Sequence, residues 1–143
     1  MLLFAGGKNL SGSMLKSTIF VTIDGYSSGP ELPYSNANFC LLKNPQDSNF
    51  FMVGGLHDSK SLQIYDFKSN AWTDPAPPND AERSKIPVKV NNMACALNYY
   101  YGDLSIILVG GDMGSVDENS KIQVYTLSTG FWSVPSKWSE FYQ

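Results

Sequence analysis

The sequence predicts an all-β protein built from a repeated antiparallel unit. Three observations carry that prediction. An apolar run closed by two glycines occurs three times, as Phe4-Ala5-Gly6-Gly7, Met52-Val53-Gly54-Gly55 and Leu108-Val109-Gly110-Gly111. A tyrosine followed seven residues later by a tryptophan occurs twice, as Tyr65 with Trp72 and Tyr125 with Trp132. Short strand-like runs bounded by Gly, Asn, Asp, Ser or Pro fill the intervals, and no stretch keeps helical spacing for three turns.

The spacing marks these motifs as parts of a repeat. Gly6 to Gly54 is 48 residues, Gly54 to Gly110 is 56, and the two Tyr–Trp pairs stand 60 apart. Self-similarity at such a period is the signature of a repeat architecture. Three units follow: a partial one over residues 1–33, a second over 34–78, and a third over 79–143 with a long lead-in and a C-terminal stub. In the second unit, strands are expected at 38–43, 49–53, 62–67 and 71–74. In the third they are expected at 93–99, 104–109, 122–127 and 131–134. The turns between them hold Asn44-Pro45, Lys68-Ser69-Asn70, Gly102-Asp103 and Ser128-Thr129-Gly130, residues suited to tight reversals. Residues 2–5 align with the second strand of a unit, so the first strand of that unit is absent from this chain. Residues 81–85 have room for one helical turn at most.

The glycines are expected to be structural, giving backbone conformations and close approaches that a side chain would block. Gly7-Lys8-Asn9-Leu10-Ser11-Gly12 is not a phosphate loop, because no Lys-Ser/Thr follows it. The rings of Tyr65, Trp72, Tyr125 and Trp132 are expected to pack between neighbouring units, where they bury much area. Cys40 lies 14 residues before Gly54 and Cys95 lies 15 before Gly110. Two cysteines at nearly equivalent positions read as buried, unpaired thiols. They form neither a disulfide framework nor a zinc spacing.

Gly-Gly after an apolar strand, then Tyr, then Trp, at a period near 50, resembles the kelch repeat. The likeness covers essentially the whole chain. It is strong in the second and third units; in the first, Phe20 and Tyr26 stand in loosely for the Tyr–Trp pair. The resemblance implies a β-propeller in which each repeat is one four-stranded blade. Propellers close with four to eight blades, and about three are present here. Two completions are open: further blades of a longer protein, or a second copy closing a six-bladed ring. In the second case residues 137–143 could supply the strand missing at the partner's N-terminus.

Composition narrows the function. The chain is 43% hydrophobic and 16% charged, with net charge −3, so it can build a core and is not disordered. Arg83 is the one arginine, and the lysines form no stripe, which speaks against nucleic acid as a partner. The strongest apolar run, residues 106–109, is far too short to cross a bilayer, and the N-terminal run lacks the form of a signal peptide. If complete, the chain is expected in the cytoplasm. Asn9-Leu10-Ser11 is a glycosylation sequon, a triplet too common to decide anything alone.

Catalysis has little support. Some kelch-type oxidases hold copper with histidines and tyrosines, but His57 is the one histidine, so that ligand set cannot form in one copy. Other kelch-type proteins carry Glu, Asp and Cys each four apart. Here Pro87 and Asn91 precede Cys95, and Leu32 and Asn36 precede Cys40. No nucleophile motif stands beside His57, and residues 112–120 lack calcium-loop spacing. No cofactor or metal is expected.

Strand alternation places the loops 8–17, 56–61 and 112–121 on one face with the connections 34–37 and 75–92. Function collects on long loops held by a rigid scaffold, and many kelch propellers bind partners there. The expected partner-binding residues are His57, Asp58, Arg83, Lys85, Asp112, Asp117 and Glu118. The leading expectation is a non-catalytic protein-interaction scaffold. The alternatives are a fragment of a propeller enzyme and a structural protein whose other blades are missing.

Overall fold

A computed structural model describes residues 1–57, 62–74, 85–112 and 121–135. Among these residues there is no helix, and the strands form three antiparallel sheets. The first holds β1 (Leu2–Ala5), β2 (Thr18–Thr22) and β3 (Gly25–Ser28) in that order. The second holds β4 (Cys40–Lys43), β5 (Phe50–Val53), β6 (Leu62–Asp66) and β7 (Ala71–Thr73). The third holds β8 (Ala94–Tyr100), β9 (Asp103–Val109), β10 (Ile122–Thr126) and β11 (Phe131–Ser133). Each sheet is a simple meander in which chain neighbours are sheet neighbours.

The expected strands of the second and third units are all present, with ends displaced by one or two residues. The displacements have local causes. Asn38 has φ 58°, a left-handed value that a strand cannot contain, so β4 starts later than expected; Asn92, with φ 52°, holds the same conformation two residues before β8. The β8–β9 hairpin turns through Tyr101 (φ 50°) and Gly102 (φ 84°), the two positive values that a tight type I′ reversal needs.

All three sheets follow one register. Val53 faces Leu62, Val109 faces Ile122 and Ala5 faces Thr18, so β5, β9 and β1 are counterparts. The seven-residue interval of the Tyr–Trp motif now has a geometric meaning. Tyr65 lies directly opposite Trp72 in the β6–β7 hairpin, and Tyr125 lies opposite Trp132 in β10–β11. Each is a cross-strand pair, with ring centroids 5.5 Å and 5.2 Å apart. In the first sheet the same positions are Val21 and Tyr26. Phe20, expected as a stand-in, is one residue out of step and points to the other side of the sheet.

Strand alternation divides each sheet between two neighbours. One side of the second sheet offers Leu41, Phe50, Tyr65 and Trp72, which pack with Leu3 and Phe20 of the first. Its other side offers Cys40, Phe51, Val53 and Leu62, which pack with Ile106, Leu108 and Tyr125 of the third, and with Ile86 and Val90 from the connection. The core is therefore two layers between three stacked sheets. Burial raises the phenol pKa of Tyr65, helped by the neighbouring Asp66 carboxylate, and burial alone raises that of Tyr125.

The cysteines differ from expectation. They are not separate thiols: Cys40 and Cys95 form a disulfide between β4 and β8, with Cα atoms 6.3 Å apart. The one-residue difference between their intervals to the glycine pair explains this. Cys40 faces Val53, whereas Cys95 faces Leu108 and Ala94 takes the counterpart position of Cys40. A shift of one residue turns a side chain to the opposite face. Cys40 therefore points toward the third sheet and Cys95 back toward the second.

Two outcomes are expected from this packing. Trp72 is half-buried and its Nε1 is enclosed without a hydrogen-bond partner. Trp72→Phe should therefore cost no more than about 1 kcal/mol, whereas Trp72→Ala should cost about 2–3 kcal/mol, less than a fully buried ring. Denaturant melts check both, and equal costs would contradict the placement. Non-reducing mass analysis should show a chain two hydrogens lighter than the reduced form. Reduction should lower stability by about 2–4 kcal/mol, since the bond closes a long loop.

Candidate functional site

The loops at the glycine-pair end of the sheets form one hydrogen-bonded band. Gly7 N–H donates to the Asn36 carbonyl at 2.8 Å, and Gly55 N–H donates to the Val90 carbonyl at 3.1 Å. These two bonds cross between sheets at counterpart positions. Leu56 N–H to Ala37 O at 2.9 Å and Asp112 N–H to Asn91 O at 3.0 Å repeat within the second and third sheets. Asn92 N–H to Asn38 O at 3.0 Å joins the two connections. The band requires its glycines. A Cβ on Gly6 would lie 2.5 Å from the Asn36 carbonyl oxygen, and one on Gly54 would lie 2.6 Å from that of Val90.

Asn36 is the centre of this end. It is fully buried, and every part of its amide has work. Nδ2 donates to the Gly54 carbonyl at 3.0 Å. Oδ1 accepts from Ala37 N–H at 2.9 Å and from His57 N–H at 3.1 Å. Its own N–H donates to the Leu15 carbonyl at 3.0 Å. One side chain thus fixes the connection, the second glycine pair and the backbone of His57. Gly55 lies against the same amide, and its φ of 114° lies where side chains are rarely found.

The expected partner-binding residues divide as follows. His57 is exposed, and its ring stacks on Tyr34 with centroids 4.4 Å apart and planes 15° apart. Asp112 is exposed, with its carboxylate accepting from Asn92 Nδ2 at 2.9 Å. Lys85 is exposed in the connection between the second and third sheets. Asp58, Arg83, Asp117 and Glu118 lie outside the described residues. His57 and Asp112 follow successive glycine pairs and are both tied to the band, so the fold brings them to one end.

Tyr34, Asn36 and Asn92 lie in the connections expected at this end, but were not among the expected partner-binding residues. A signal was present. Ser35-Asn36-Ala37-Asn38 and Asn91-Asn92-Met93 both place asparagines ahead of a strand, and asparagine tolerates left-handed backbone. The loop 8–14 braces itself: Asn9 Oδ1 accepts from Ser11 N–H at 3.1 Å, Ser11 Oγ–H at 2.7 Å and Ser13 N–H at 2.9 Å.

Concave surface lies elsewhere. A cavity of about 300 Å³ lined by Gln46, Tyr99, Asp103 and Leu127 sits at the short-turn end. Another, of about 450 Å³, is lined by Asp47, Asn49, Asp66 and Lys68. Hydrogen bonds from Ser69 Oγ and Lys68 N–H hold Asp66 below the usual carboxylate range. Among the described residues no three His, Cys, Asp or Glu side chains cluster as a metal site would require. No helix among them is long and apolar enough to cross a membrane.

Comparison with known proteins adds no assignment: no family model matches the chain, and no curated protein matches it.

Asn36→Ala should lower the unfolding free energy by about 2–4 kcal/mol, because the buried Gly54 carbonyl and Ala37 N–H and the partly buried His57 N–H lose their partner. A denaturant melt measures this, and a cost below about 0.5 kcal/mol would contradict the clasp. Gly55→Val should be at least as damaging, at about 3 kcal/mol, from backbone strain and overlap with the Asn36 amide.

Proposed function

We propose that this chain is a run of kelch-type β-propeller blades acting as a non-catalytic protein-interaction scaffold, with the glycine-pair end as its binding face. The observation that carries the reading is the band around Asn36. It holds an aromatic stack, the exposed His57 on the half-buried Tyr34, and an exposed carboxylate, Asp112, on backbone that is hydrogen-bonded. A stacked aromatic pair with a charge at the same end of the sheets offers contact area at small entropic cost, which suits a protein partner. The three sheets with one register, each packed face to face on the next, support the blade reading, as do the three glycine pairs.

The disulfide bears on where this happens. Cys40–Cys95 is a bond expected in an oxidising compartment, and it favours such a location over the cytoplasm.

The test is capture of partners from an extract of the source cells by the immobilised chain. His57→Ala combined with Asp112→Lys should reduce specific capture at least tenfold and leave the melting midpoint unchanged. Undiminished capture by a folded double variant would overturn this face.

A further inference from the structure

The loop between β1 and β2 ends in a tight turn that takes no part in the core. Lys8 and Met14 bridge across the loop, and Gly12 N–H donates to the Asn9 carbonyl at 2.9 Å, which closes residues 9–12 into a β-turn at its tip. The turn holds Asn9-Leu10-Ser11, the one Asn-x-Ser/Thr triplet among the chain's eleven asparagines. All three residues are exposed, Leu10 completely, so no described residue closes over the triplet.

The side-chain amide of Asn9 has a fixed orientation. Its Oδ1 accepts from Ser11 N–H, Ser11 Oγ–H and Ser13 N–H. Backbone N–H groups only donate, so the oxygen and not the nitrogen must face the loop. Nδ2 is the end left over, and it donates to no described residue. A substituent on Nδ2 would leave all three bonds to Oδ1 in place, so the loop can carry one without being rebuilt.

An accessible triplet of this kind is modified in secreted proteins, which pass through the same oxidising compartments that form disulfides. The Cys40–Cys95 bond is an independent sign of such a compartment. It lies between the second and third sheets, away from the triplet, so the two observations have separate origins.

We infer that Asn9 is the acceptor of an N-linked glycan. In the transfer, Nδ2 bonds to the anomeric carbon of the first sugar of a lipid-linked diphosphate donor. The bond from that carbon to the diphosphate oxygen breaks, its electron pair leaves with the diphosphate, and one Nδ2 proton passes to a base of the transferase. Gly7 and Gly55 are counterparts, so Asn9 holds in the first sheet the loop position that His57 holds in the second. The glycan, bulky and solvated, would stand at the glycine-pair end of the first sheet. The inference rests on the turn and the disulfide, and does not depend on which loops bind another protein.

The test is a peptide map of the protein isolated from its source cells and digested with peptide N-glycosidase in heavy-oxygen water. The Asn9 peptide should take up the heavy oxygen. The full chain behind a secretion leader, translated into microsomes, should gain mass that the same enzyme removes. Ser11→Ala keeps both backbone bonds to Asn9 Oδ1, and should lose the gain while its melting midpoint stays unchanged. Ser11→Thr should retain the gain. An Asn9 peptide found only unmodified in the source protein overturns the inference, and so does a mass gain that survives Ser11→Ala. The His57 and Asp112 variant should carry the same glycan, so this inference and the proposed binding face fail separately.

Discussion

The structure depends on how closely one sheet can approach the connection that leads into the next. Gly6 and Gly54 end the second strand of the repeat pattern, and the following connection passes directly over them. The Asn36 and Val90 carbonyls sit where a Cβ would otherwise lie, and accept hydrogen bonds from Gly7 and Gly55. Without a side chain at those points, neighbouring sheets can be joined by backbone as well as by packing. With one, the connection would be forced outward, and the apolar layers beneath it would separate. A net hydrogen bond contributes only about 1 kcal/mol, so the clasp acts mainly through position. It sets the distance at which the two core layers meet.

Those layers follow from parity. Alternation sends odd and even residues of a strand in the middle sheet to different neighbours, so an inner strand of that sheet has no solvent side of the ordinary kind. β5 shows this most clearly, with all four of its residues buried. Both Tyr–Trp pairs lie on the side facing the preceding sheet, and the disulfide crosses between the second and third sheets, in the layer that holds Tyr125 and Trp132. Cys40 and Cys95 can meet because their counterpart positions differ by one residue. Equal intervals would have turned both side chains in the same direction around the stack, one toward its neighbour and one away.

Much of this was legible in the residues. The apolar run before each glycine pair, the hairpin turns and the opposed aromatics each have a local cause, and local causes show in a single sequence. The cysteine pairing was harder to see, because intervals of 14 and 15 look equivalent until strand register is known. Asn36 was missed for another reason. Its role arises from two glycine pairs and a connection that come together only in the folded chain, and an asparagine in a short loop is commonplace. Tyr34 gave no warning either, since its ring finds His57 across 23 positions of sequence, from 34 to 57. Of the residues expected on the binding face, His57, Lys85 and Asp112 could be placed, while Asp58, Arg83, Asp117 and Glu118 lie outside the described residues.

The central claim is that the glycine pairs are clasped, and amide hydrogen exchange at Gly7 and Gly55 measures it directly. If the clasp holds the sheets together, both amides should exchange only through global opening, as slowly as those of Met52 and Val53 in the buried strand. If they exchange as fast as the exposed hairpin amide of Ile23, the connections lift freely from the glycines, and the stack must be held by side-chain packing alone.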